Sequence, residues 1–198
     1  MATPESRLHP TNRHATRQVL ASVEDVREAM VEVARHADRR LAILTQDLES
    51  EVFDHRPFVD VVKHLCLARS FVRVRVIVSN PYRTLRDGNR FVYLGRRLSS
   101  FVEFRHAHEN YRHHQEAFMV ADESAIVFRA DADRWEGIAD TAEPAIAKRY
   151  LNVFDEIWGA SAPAQEFRQI MVLAATKQSP ARGSLSACAR ATRREPPG

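Results

Sequence analysis

The chain has 198 residues, 44% hydrophobic and 28% charged, enough for one globular domain with a sizeable core. The first twenty residues lack the apolar segment of a secretory leader and no later run approaches membrane-spanning length, so a cytoplasmic protein without membrane contact is expected. The formal net charge of +3 and a pI near 9.1 hint at nucleic acid, while Cys66 and Cys188 have the spacing of neither a disulfide framework nor a zinc finger.

Residues 1–21, mixing Pro, Thr, His and Arg without periodicity, read as a disordered tail. Ser22 followed by Asp25 predicts a capping box, and Val23, Val26, Met30, Val33 and Ala37 recur at helical spacing behind it. "RRLAILTQD" reads as a buried strand ending near Asp47. "PFVDVVKHLCLAR" then reads as a helix with Pro57 in its first turn and Cys66 as a small core residue. In "FVRVRVIVS", Val72, Val74 and Val76 alternate with Arg73 and Arg75, the period of a strand.

"SNPYRTLRDG" is a loop or broken helix, "NRFVYLGRRLSS" a helix and "FVEFRHA" a third strand. "AFMVADESAIVFR" predicts a hairpin turning at Asp122 to Ser124. "EPAIAKRYLNVFDEIWG" closes the domain as an amphipathic helix capped at Gly159, and a last helical turn is expected between Pro163 and Leu173. Residues 174–198, rich in Ser, Ala, Arg and Pro, read as a disordered basic tail, leaving a single domain over 22–173. The order of elements predicts an α/β fold: a mixed, largely parallel sheet flanked by helices on both faces.

That order, with an acid at the hairpin turn and a closing helix ending in "FDEIW", resembles one half of the phospholipase D superfamily. Over roughly residues 22–160 it also looks like an uncharacterised bacterial domain related to that superfamily and found fused behind GNAT-type acetyltransferases. "LTQDL", "RRLSSFVEFR", "EAFMVAD" and "DRWEG" carry the likeness. The resemblance implies a motif H-x-K-x-x-x-x-D followed by G-S-x-N, in which histidine attacks phosphorus and lysine neutralises phosphate oxygens. With the aspartate at Asp122, the histidine place holds Gln115 and the lysine place Ala117. Neither an amide nor a methyl group can do that chemistry.

Sliding the match to His114 puts Glu116 in the lysine place and Ala121 in the aspartate place, and His113 meets Gln115 and Val120. The G-S-x-N element falls on Arg129, Ala130, Asp131 and Ala132. The expectation is a non-catalytic phospholipase-D-like binding or accessory module with no cofactor, holding an anionic ligand in the old cleft. The fused relatives suggest an acetyltransferase partner, and single-copy members of the superfamily suggest a homodimer. A phosphodiesterase or other hydrolase using displaced His113 or His114, or a bound metal, is the alternative.

Two further clusters bear on these readings. His106 and His108, on one face of a continued strand, have the spacing two imidazoles need to share a metal; the competing reading is a polar loop. In "FRADADRWEG", Arg129 and Arg134 could offer guanidinium groups to an anion, with Asp131 and Glu136 beside them and Trp135 as a stacking surface, or could simply pair with those acids. Asp47, at a strand's carboxyl end, is a ligand candidate or a turn cap. The charge sits at the ends: residues 174–198 carry +4, residues 1–20 carry +2, and residues 21–173 carry −3. Nucleic acid is therefore expected only through the basic tail, unless a local patch exists.

Overall fold

The computed structural model of the chain describes residues 17–168. The basic tail, and most of the tail expected at the other end, lie outside them.

The first helix, α1 (Val23–Arg35), starts as its cap predicts. Ser22 Oγ accepts from the Asp25 amide at 3.1 Å, and the Asp25 carboxylate accepts from the Ser22 amide at 2.9 Å. The strands that follow are β2 (Arg40–Thr45), β3 (Arg73–Val78) and β4 (Val102–His106), adjacent and parallel. Their crossovers contain α2 (Ser50–Phe53) and α3 (Arg56–Ala68), then α4 (Tyr82–Asp87) and α5 (Arg90–Arg97). The hairpin is β5 (Ala117–Ala121) and β6 (Ala125–Arg129). β7 (Gly137–Asp140), α6 (Pro144–Ala160), β8 (Ala162–Pro163) and α7 (Gln165–Arg168) follow.

The sheet has eight strands in the order β1-β7-β6-β5-β2-β3-β4-β8, where β1 is Arg17–Leu20. The expected largely parallel sheet is corrected. Two pairings are parallel and five antiparallel, so the fold is α/β with a mixed, mostly antiparallel sheet. The reason lies in residues 107–116, which join β4 to β5 with a single 3₁₀ turn at Glu109–Tyr111. That segment is too short for a parallel crossover, and β5 returns antiparallel against β2. β1 forms within the segment read as a tail, and Gly137–Asp140 forms a strand where only a loop was expected. α6 is capped by Ser161, two residues beyond the expected Gly159.

Helices cover both sheet faces. On one, α1, α2, α3 and α5 pack on Leu41, Ile43, Val74, Val76, Phe104, Met119 and Val127. On the other, α6 packs Leu151, Phe154, Ile157 and Trp158 against Leu44, Ile77, Phe118, Val120 and Ile126. No helix among the described residues is long and apolar enough to cross a membrane.

Candidate functional site

Gln115 and Ala117 lie at the start of β5, where the strand passes under α1 and α2. Gln115 is exposed and its carbonyl accepts from the Ala132 amide at 2.7 Å. Ala117 is 4% exposed and stands directly opposite Arg129 in the β5–β6 register. Opposed residues of an antiparallel pair project to the same face, so Arg129 fills the space beside the methyl group. Its guanidinium is almost wholly buried. It bonds to the Glu49 carboxylate, donates to the carbonyls of Ala132 (3.0 Å) and Arg134 (3.1 Å), and lies 5.2 Å from the Trp135 ring centroid. Thr45 Oγ1 donates to the other Glu49 oxygen at 2.8 Å.

These partners satisfy both charges, the condition under which an ion pair is tolerated inside a protein. The void left beside them, between Thr45, Ala117 and Arg129, measures about 20 Å³. One ordered water fits such a space and a phosphate does not. The donors of Arg129, expected from the sequence to face a ligand, go to Glu49 and to the loop that follows β6.

The charged residues of that loop also contact one another. Asp131 Oδ1 accepts from the Asp133 amide at 2.9 Å. Arg134 and Glu136 are exposed and bonded to each other at 3.0 and 3.2 Å. The Arg134 hydrogen bond holds the Glu136 carboxyl below its ordinary range, and Glu136 raises Arg134 in return. Asp47 receives Arg83 at 2.9 Å, and its carbonyl accepts from the Thr84 hydroxyl, so it ties the β2 loop to α4. Asp122 adopts φ 52 at the hairpin turn and accepts from the amides of Asp38, Arg39 and Arg40 at 2.8 to 2.9 Å. It anchors the start of β2.

The histidines separate. His106 turns to Glu166 on α7, while His108 Nδ1 accepts from the Asn110 amide at 3.3 Å. The two do not converge, and among the described residues no group of three His, Cys, Asp or Glu is placed to hold a metal. His113 is exposed. His114 Nε2 lies 2.9 Å from Glu116 Oε2 on the α6 side of the sheet. Nearby Tyr150 is pushed above its ordinary pKa, first by burial and then by the Glu116 charge.

Glu49 and Thr45 were not singled out in the sequence. A carboxylate just after a strand gives no sign of a partner eighty positions away. The one local clue is conformational and invisible in the letters: Leu48 adopts φ 53, a region costly for a leucine, with its side chain buried. Between them, Leu48 enters the core and Glu49 reaches Arg129.

Comparison with solved structures shows the same fold at low identity. The phospholipase D family member Nuc from Salmonella typhimurium superposes with a TM-score of 0.53 at 10% identity, covering 74% of this chain and 96% of that one. NucT from Helicobacter pylori gives 0.52 at 11%, again with 74% and 96%. TrmBL2, an archaeal chromatin protein whose structure shows a novel mode of DNA binding, gives 0.56 at 10%, with 80% of this chain and 57% of that one covered. No curated protein matches by sequence. The fold is thus phospholipase-D-like, and by a family model that matches residues 22–170 the chain belongs to the family described as domain of unknown function DUF7931.

Proposed function

We propose that this protein is a non-catalytic binding or accessory module on a phospholipase-D-like scaffold. One observation carries the reading: at the motif positions, Gln115 and Ala117 replace the nucleophile and the phosphate-binding cation, and the buried Arg129–Glu49 pair fills the space beside them. Transition-state stabilisation of phosphoryl transfer needs a cation free to meet phosphate oxygens. Arg129 is not free. An anionic ligand at this end of the sheet would meet exposed Arg134 instead, with Asp131, Glu136 and Asp47 setting its selectivity against highly charged anions. Isothermal titration of a monoanionic phosphodiester tests that contact, and equal binding by Arg134→Ala removes it. An acetyltransferase and a second copy of this chain remain the partners proposed from the resemblance. Co-purification reads the first and light scattering the second.

A chromogenic phosphodiester tests the main reading: no turnover is expected in EDTA or with added Zn(II). The second reading, a hydrolase with a displaced base, rests on His114, whose buried Nε2 lies 2.9 Å from Glu116 Oε2 without a hydrogen bond to it and so keeps an unpaired nitrogen of the kind a general base needs. Turnover abolished by His114→Ala would select it over the first.

A further inference from the structure

At the opposite end of the sheet, where β2 and β3 begin, a cavity of about 570 Å³ is lined by Arg39, Arg40, Arg69 and Phe71 together with Asp38, Asp122 and Glu123. Arg40 stands directly opposite Arg73 in the parallel β2–β3 register, with Arg75 two positions on. Like charges facing each other across strands destabilise a sheet. Packing requires neither of them here, since Arg73 is exposed and Arg40 partly so. Asp155 offsets this only in part. It bonds Arg40 and stands 3.9 Å from Arg75, beyond hydrogen-bond reach, and the buried Arg40 Nε has no partner.

The remaining acids are committed elsewhere. Asp38 pairs with Arg69, Glu123 with Lys148 at 3.3 Å, and Asp122 holds three backbone amides. Arg39 and Arg73 have no carboxylate partner among the described residues. The cavity lining itself balances three arginines against three carboxylates, and the neighbouring Arg73, Arg75 and Lys148 against Asp155 leave a local surplus of two cations in a stretch, residues 21–173, that sums to −3. Amid these arginines Phe71 is 57% exposed, with the Arg39 guanidinium 5.8 Å from its ring centroid. An exposed aromatic ring among guanidinium groups that retain free donors suits a chain of alternating phosphates and flat bases.

We propose that this end of the sheet is a binding surface for single-stranded nucleic acid, with a base stacked on Phe71 and phosphates held by Arg39, Arg40 and Arg73. Stacking on an aromatic side chain and tracking of the backbone by arginine are how unpaired strands are held without sequence preference. The surface lies away from Ala117 and Arg129 and does not depend on the reading of that site.

The test is fluorescence anisotropy of the full chain with a labelled oligothymidylate of about fifteen residues, over a series of salt concentrations. Phe71→Ala is expected to weaken binding about tenfold. Arg39→Glu with Arg73→Glu should weaken it further and flatten the log–log salt slope by about 1.4, from roughly 0.7 per phosphate contact. Arg56→Glu, the same reversal at a single exposed site on α3, should alter affinity less than twofold, and circular dichroism confirms that each variant is folded. The proposal is overturned if no saturable binding occurs, or if Phe71→Ala and the arginine pair bind like the parent. It is also overturned if an acidic polypeptide competes equally and responds to the same substitutions, which would mark a general polyanion surface.

Discussion

Arg129→Ala would remove a guanidinium whose side chain is 5% exposed from a Glu49 carboxylate 9% exposed, leaving that charge with the Thr45 hydroxyl as its remaining partner. Breaking a buried ion pair from one side costs about 3 to 5 kcal/mol, because the stranded charge keeps its desolvation penalty. In a domain with about 5 to 15 kcal/mol of total stability, that is a large fraction. Glu49→Ala strands the arginine instead, but two carbonyls and the Trp135 ring still face it, so a smaller loss of about 2 to 3 kcal/mol is expected. Replacing both by methionine removes both charges, and the double variant should recover to within about 2 kcal/mol of the parent. Urea unfolding followed by circular dichroism at 222 nm reads all of these; Trp135 fluorescence is unsuitable, since that ring touches Arg129. If Arg129→Ala costs under about 1 kcal/mol, or if the two single losses simply add, the pair is not the internal brace described here.

Asp122→Ala should cost about 3 kcal/mol by removing a charged acceptor from three amides at a residue with φ 52, and Asp122→Asn less, because one oxygen still faces Arg39 and Arg40; urea midpoints check the order. Phe167→Ala, which opens a cavity beside Phe104 at a ring distance of 5.1 Å, should cost about 3 kcal/mol by the same method, and no change would mean that α7 is not docked. Burial pushes the Cys66 thiol up to about 11, so roughly one molecule in a thousand carries the thiolate at pH 8; iodoacetamide should leave the Cys66 peptide unmodified in the native protein, and rapid labelling there would contradict its burial. Hydrogen bonds from the Ala21 amide, the Ser22 side chain and the Ser22 amide depress Asp25 in the folded state. Its contribution is therefore present above the ordinary value of 3.8 and lost as pH falls through the lower folded value, so the stability deficit of Asp25→Asn at pH 7 should vanish in acid denaturation series below that range.

The elements that were legible in the sequence are those whose signals are local. Ser22 and Asp25 mark a helix start because the cap needs just those two side chains, and the alternation through Val74 and Val76 is the strand period itself. Gly137–Asp140 and Arg17–Leu20 carry no such signal: each is four residues long, and they form strands because β6 offers β7 an open edge and β7 then offers one to β1. The balance of parallel and antiparallel pairings was misjudged for a related reason, since strand direction depends on whether a connection crosses the sheet, and hydrophobic pattern does not record that. At the site, the assignment of Gln115 and Ala117 to the motif positions came from the resemblance alone. The buried Arg129–Glu49 pair beside them was not legible, because it joins residues eighty positions apart, next to a buried leucine in an unusual conformation.

The proposal that the protein performs no phosphohistidine chemistry is tested most directly by trapping. The full chain would be incubated with an activated phosphodiester and quenched in base, where phosphohistidine survives, and its intact mass measured. No phosphoryl adduct is predicted for the parent protein. A stoichiometric adduct that is lost in His113→Ala or His114→Ala would show a working nucleophile outside the expected motif, and would contradict the account.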